Sequence, residues 1–361
     1  MKKLNSNVPP EVRRTSIGGQ ALIEGLMMIG PHKTALAVRL PDHSIKLEEQ
    51  PTKKFGSLAR IPFVRGFIRL VGQLSVGMKA LTRSADLAEE YAPDESQEPA
   101  DEQPAPDGAT AKLIIDEATR HEVGADEDGG ADAIFAPTKS AKTNNNKFDG
   151  ALIVLTVLLS VLISVGVFIL LPNFLTTLTL SATGLVKGNG FSGTFVYNLV
   201  EGMLRIFILL LYMWLASRSK DVARTWQYHG AEHKTIACYE ADRALIVENV
   251  REFSRFHPRC GTSFIFFVVF LSVFIHSFFG WYDPWINMAI RIALIPVITG
   301  IAYELQRYAG ARANSRVGAI ISAPGLLLQR LTTKEPDDDI LEVSITAMKA
   351  VLPKEEDDAD W

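Results

Sequence analysis

The residues of this 361-residue sequence best suited to chemistry are two histidines and a glutamate within one stretch, Tyr228-His229-Gly230-Ala231-Glu232-His233-Lys234. Read as a helix, the spacing puts His229 and His233 on one face, where two imidazoles can bind a single zinc ion. Glu232 between them is a candidate general base toward a metal-bound water. The H-x-x-E-H order is that of the inverted zinc-protease motif. The plainer reading is a solvated helix face with Glu232 paired to Lys234 or Arg224.

Further donors lie downstream. Arg255-Phe256-His257-Pro258-Arg259-Cys260-Gly261-Thr262 precedes a strongly apolar run. His257 and Cys260 are both metal-binding types, and Cys260 near a helix start beside Arg259 suits a thiolate. A small buried cysteine at a close crossing is the competing role. Glu304, 71 residues past His233, is a candidate carboxylate ligand. The expected metal set is therefore His229, His233, Glu304, His257 and Cys260, with zinc as the ion. One geometric condition attaches to it. A straight helix from residue 216 would carry His229 about 20 Å above the bilayer, so the chain must bend back to reach the others.

A second polar set, Glu201, Arg205, His276 and Arg291, interrupts apolar segments. Charge inside a membrane is costly, so these side chains are expected to face the bundle interior. Glu201 is expected to pair with Arg291 or with Arg205 one turn away, as a clamp between spans rather than a solute or proton path.

The elements that must hold these residues are mainly helical. Ala151–Leu171 carries no charge over 21 residues, enough at about 1.5 Å per residue to cross a core of roughly 30 Å. Segments 195–216, 264–282 and 286–304 read as three more spans, giving a bundle over 148–304 with a motif loop at 217–263. That loop holds eight basic residues, whereas the connections at 172–194 and 283–285 hold only Lys187. Basic connections stay inside, so both termini are expected to be cytoplasmic, in a bacterial inner membrane.

Ahead of the bundle, residues 1–55 contain a small β-rich unit, with Thr34–Leu40 and Ile45–Glu49 flanking a turn at 41–44. Residues 56–88 mix apolar clusters with Arg60, Arg65, Arg69, Lys79 and Arg83. They predict an amphipathic helix on the headgroup plane, broken near Gly66 or Gly72, with an ordinary helix packed on the β unit as alternative. Residues 89–147 predict an unstructured tether. Residues 305–361 form a tail whose last helix is capped by Asp339.

Charge supports this partition. Residues 86–133 hold 16 acids and two bases, leaving 35 bases against 25 acids elsewhere. A basic body suits anionic lipid on the cytoplasmic side, and membrane proteins are possible partners; no specific nucleic-acid recognition is expected. No cleavable signal is visible after the polar start. The two cysteines, Cys238 and Cys260, are expected to stay reduced.

Four separated stretches together resemble the YqhQ-like family of bacterial membrane proteins. They are residues 17–28 (Ile17-Gly18-Gly19-Gln20 through Met28), His229–Lys234, His257–Thr262 and Leu331–Asp339. The resemblance implies a multi-pass protein and a metal-dependent enzyme of unassigned reaction. Three functions follow as expectations. The first is a metal hydrolase at the cytoplasmic interface, the second a non-catalytic factor in membrane-protein biogenesis or a larger assembly, and the third a small-solute or proton transporter.

Overall fold

A computed structural model describes residues 15, 17–52, 55–91, 113–115, 155–156, 158–160, 162–182, 191–279, 284–312 and 315–353. Four strands, β1 (Gly18–Leu22), β2 (Gly25–Ile29), β3 (Lys33–Arg39) and β4 (Ile45–Pro51), form an antiparallel meander. The β3–β4 hairpin falls where the turn residues place it. Asp42 Oδ1 accepts from the Ser44 N–H at 2.9 Å, and His43 takes φ 63°.

A fifth strand, β5 (Leu113–Ile115), pairs in parallel with β4. This corrects the unstructured reading of the acidic segment at that point. Leu113-Ile114-Ile115 is an apolar run with two β-branched residues, and strand pairing satisfies its backbone. Residues 92–112 and 116–147 lie outside the described residues.

Sheet residues alternate between two buried faces, which is why β2 and β3 read as near-continuous apolar runs. Leu22, Met27, Leu36 and Val38 pack against Ala80 and Leu87 of helix α1 (Val64–Glu90). Leu26, Met28, Ala35, Ala37 and Leu47 face two other helices, α4 (Lys220–Glu240) and α9 (Asp338–Val351).

Helix α1 runs unbroken through Gly66 and Gly72, contrary to the expected interruption. Gly66 is where it crosses the helix α7 (Pro284–Ala311). A Cβ on Gly66 would come within 2.9 Å of the Thr299 carbonyl, and one on Gly300 would strike Phe63. Its far half lies on the sheet, where Arg83 donates to Glu48 at 2.7 Å with both side chains 8% exposed. The alternative of a helix packed on the β unit is therefore met by that half. Phe63, Val71, Leu74 and Met78 remain exposed on the rest.

Among the described residues, three helical segments are long and apolar enough to cross a membrane: Leu158–Leu180, Gly193–Ala216 and Met288–Ala311. The first extends past its expected end at Leu171. Pro172 cannot donate an N–H and crowds the preceding turn. A wide π turn at Gly166–Leu170 absorbs it, and helix α2 (Leu171–Ala182) continues. Helix α3 (Phe191–Ala216) carries the second segment. Helix α7 outruns its expected end at Glu304 by seven residues.

The expected third span is shorter than 264–282. Helix α6 (Gly261–His276) is apolar but has 16 residues, about 24 Å. It stops because Asn198 of α3 donates to the carbonyls of His276 (3.3 Å) and Phe279 (3.2 Å), which replaces the next helical turn. A short α5 (Val247–Arg251) sits in the motif loop, and α8 (Arg316–Thr332) connects α7 to the tail. The last helix starts from Asp337 at its N-cap position rather than from Asp339, and no side chain caps it. Asp338 is drawn to Arg251, and the Asp339 carbonyl accepts from Arg39.

Candidate metal centre

The bend required of the chain occurs at residues 217–219. Arg218 N–H and Ser219 N–H bond the carbonyls of Leu215 and Ala216, closing α3 with a tight turn. Ser219 is extended at ψ 138°, so α4 starts in a new direction. The segment after α8 then straps α4 in place, with Lys334 N–H on the Trp226 carbonyl at 2.8 Å and Gln227 on Glu335.

As a result His229, His233 and Cys260 meet. One ligand atom from each lies within 4.8 Å of the others. His233 is 1% exposed and Cys260 7%. The rings of His229 and His233 are 4.5 Å apart, centroid to centroid. Cys260 is the N-cap of α6 and its sulfur accepts from the Thr262 N–H at 3.4 Å.

Backbone carbonyls fix both imidazoles. His229 Nδ1 lies 2.8 Å from the Thr332 carbonyl, and His233 Nδ1 lies 2.6 Å from the Arg255 carbonyl. A carbonyl can only accept, so each Nδ1 carries the proton and each Nε2 carries a lone pair. His229 Nε2 points at Cys260 Sγ, 3.1 Å away. His233 Nε2 is buried with no hydrogen-bond partner among the described residues. Burial pushes the His233 pKa down, against the pull of Cys260, and so favours the neutral, ligating form.

This donor set fits zinc. Bonds of about 2.0–2.3 Å in a tetrahedron separate donors by about 3.3–3.6 Å, so the ion needs the widest pair to close by about 1.5 Å at most and the His229–Cys260 pair to open by about 0.5 Å. A carbonyl behind each ligating ring is the usual support for such a site.

Glu232 is 6% exposed and stands apart from Lys234 and Arg224. Those bases are taken by Glu335 and Glu24 respectively. Burial pushes its carboxyl pKa up, against the opposing influence of His229 and a bond from the Gly19 backbone. Gly19 explains part of the sequence pattern of β1. A Cβ there would lie 3.0 Å from the Glu232 carboxyl carbon and 2.5 Å from the Met27 carbonyl. Gly19, and the carbonyls of Thr332 and Arg255, are contributors that side-chain chemistry does not announce.

His257 stands beside the group rather than in it. Its ring is 5.6 Å from that of His233, and its Nε2 is 3.9 Å from Glu240. Gln329 holds it by both backbone groups, accepting from its N–H at 2.9 Å and donating to its carbonyl at 2.8 Å. Burial alone would raise the Glu240 carboxyl. His257, Arg259 and the Thr15 N–H together hold it below the usual carboxylate range.

Glu304 is not brought to the histidines. Arg65 of α1 donates to both of its oxygens, at 2.6 and 2.5 Å. A carboxylate filled by a guanidinium fork is a joint between helices, and the ligand role expected of it is corrected accordingly. Its neighbour Gln306 does reach the centre, donating to the Cys260 carbonyl at 2.7 Å.

The second polar set lies at the other end of α6. Glu201, 2% exposed, pairs with Arg205 on its own helix. His276 Nδ1 bonds the Ser272 carbonyl at 2.6 Å. Arg291 has no ion pair among the described residues.

A model of a protein family of unknown function, DUF1385, matches residues 61–354. The chain is 32% identical over 348 residues to the Bacillus subtilis (strain 168) protein called "Uncharacterized protein YqhQ", covering 96% of this chain and 93% of that one. No solved structure matches. A match that takes in the α4 motif, the Cys260 turn and the tail strap together makes this chain a member of the DUF1385, YqhQ-like family.

Proposed function

We propose that the chain is a membrane-anchored metal hydrolase, with zinc held by His229, His233 and Cys260 at the cytoplasmic boundary of the bundle. The observation that carries this reading is the pair of Nδ1–carbonyl bonds, which leave two lone pairs converging on one sulfur. Three protein donors leave a fourth position for water, as in catalytic rather than structural zinc sites.

A metal there supplies Lewis acidity and a water that ionises near neutral pH. Glu232, one turn from His229 and in electrostatic contact with it, is the residue that would act as general base there. The Gly19 backbone steadies its carboxylate, and His257 forms one wall beside His233. Gln306 of α7, holding the Cys260 carbonyl, supports a site level with the end of a membrane span. Helix α1 rests its Phe63, Val71, Leu74 and Met78 face on lipid, with Arg60 and Arg69 toward anionic headgroups. The basic motif loop supports termini on the cytoplasmic side, and α6 completes a fourth crossing.

A second reading, a metal staple in a non-catalytic assembly factor, is favoured by the burial of His233 and Cys260. Metal analysis of the detergent-purified protein addresses both. The hydrolase reading expects about one zinc per chain, lost in the His229→Ala/His233→Ala variant. Glu232→Gln should keep the zinc and abolish turnover of chromogenic esters or phosphoesters. Zinc without turnover of any such substrate leaves the staple. A wild type that takes up no zinc overturns both.

A further inference from the structure

The cluster at the far end of α6 does not balance its charge. Of the two partners expected for Glu201, Arg291 and Arg205, it takes Arg205, one turn along α3. Arg291 of α7 is near enough to act electrostatically on both Arg205 and His276. Among the described residues, two guanidiniums, which stay charged under all ordinary conditions, thus share one carboxylate between apolar helices. A surplus of one positive charge is costly there unless an anion meets it.

Two buried atoms point into this region without a partner among the described residues, Arg205 Nε and His276 Nε2. Arg205 Nε is a donor. His276 Nδ1 gives its proton to the Ser272 carbonyl, so Nε2 is an acceptor. The missing group must therefore carry one negative charge, accept from guanidinium N–H groups and donate one hydrogen bond. A carboxylate satisfies only the first two conditions. A phosphodiester beside a hydroxyl group satisfies all three, and so does dihydrogen phosphate, whereas a phosphodiester beside an ammonium group is neutral overall and fails the first.

We propose that Arg205 and Arg291 hold a monoanionic phosphate group at the end of the bundle remote from Cys260, with His276 accepting from a donor beside the phosphorus. The two possible sources are a phospholipid headgroup and free phosphate. The proposal rests on α3 and α7 crossing the membrane and is independent of the metal centre, some 24 Å away along α6.

Native mass spectrometry of the full chain in detergent tests it, with phosphatidylglycerol, phosphatidylethanolamine or inorganic phosphate added. The expected result is one retained phosphate-bearing adduct, weakened about tenfold in Arg291→Gln and preserved in Arg291→Lys. Loss of one charge-assisted contact corresponds to about that factor. A lipid adduct assigns the site to a headgroup, and a phosphate adduct alone assigns it to the free ion. Asp283, eight residues before Arg291 in the sequence and outside the described residues, provides the internal control: Asp283→Asn should leave the adduct unchanged. The proposal is overturned if no adduct forms with any probe. It is equally overturned if Arg291→Gln binds like the wild type, or if Asp283→Asn and Arg291→Gln alter stability alike with no adduct in either.

Discussion

The two ends of helix α6 use one device for opposite purposes. At each end an imidazole gives its Nδ1 proton to a backbone carbonyl and turns a bare Nε2 inward, His233 on Arg255 and His276 on Ser272. At the Cys260 end the neighbours are another imidazole and a thiol, neutral or negative groups that invite a cation. At the His276 end the neighbours are two guanidiniums, which invite an anion. The imidazole is the same in both places; the surrounding charge decides what it can help to bind.

The largest expected effect comes from breaking the support of the Cys260 end. Glu240 holds Arg259 and both Thr15 groups, with its side chain 7% exposed. Glu240→Ala leaves the partly exposed Arg259 guanidinium and the Thr15 N–H without their acceptor and should cost about 1–3 kcal/mol in denaturant unfolding of the detergent-solubilised protein. A pH series sharpens the point. The folded carboxyl lies below its usual range, so its contribution is complete above the unfolded value of about 4.3. It fades as pH falls through the lower, folded value. Wild-type stability should therefore drop on acidification by an amount that Glu240→Gln does not show.

A smaller effect is expected at the other end. Asn198→Leu removes the donor that closes α6, leaving two carbonyls to find other partners. The loss should be about 1 kcal/mol, because polar contacts within membranes are partly replaced in the reference state. An unchanged unfolding midpoint would show that α6 ends for another reason. The smallest effect serves as a control remote from both ends. Arg251 and Asp338 form an ion pair with both side chains more than half exposed. Arg251→Ala should leave the melting temperature unchanged within error.

Much of the His229, His233 and Cys260 group was legible in the sequence because it depends on spacing. His229 and His233 are four residues apart on a helix, and Cys260 sits at the start of an apolar run. The bend that brings them together was not legible, since Ala216-Ser217-Arg218-Ser219 contains neither glycine nor proline. Glu304 misled for a related reason. Its type and position suit a ligand, but its partner is Arg65, 239 residues away, and no local pattern encodes such pairing. The acceptors that aim the rings, Thr332 and Arg255, act through backbone oxygen, which every residue possesses. In the fold, the β3–β4 hairpin could be read from alternation and its turn. The lengths of α6 and α7 could not, because Asn198 sets one and the α1 crossing accompanies the other.

The most direct test replaces any native metal with cobalt(II) and records the absorption spectrum. A His–His–Cys site with an open position predicts a thiolate-to-cobalt charge-transfer band that disappears in Cys260→Ser, and visible ligand-field bands that shift when azide is added. Cobalt that gives no thiolate band, or gives the same spectrum in Cys260→Ser as in the wild type, would contradict the centre described above.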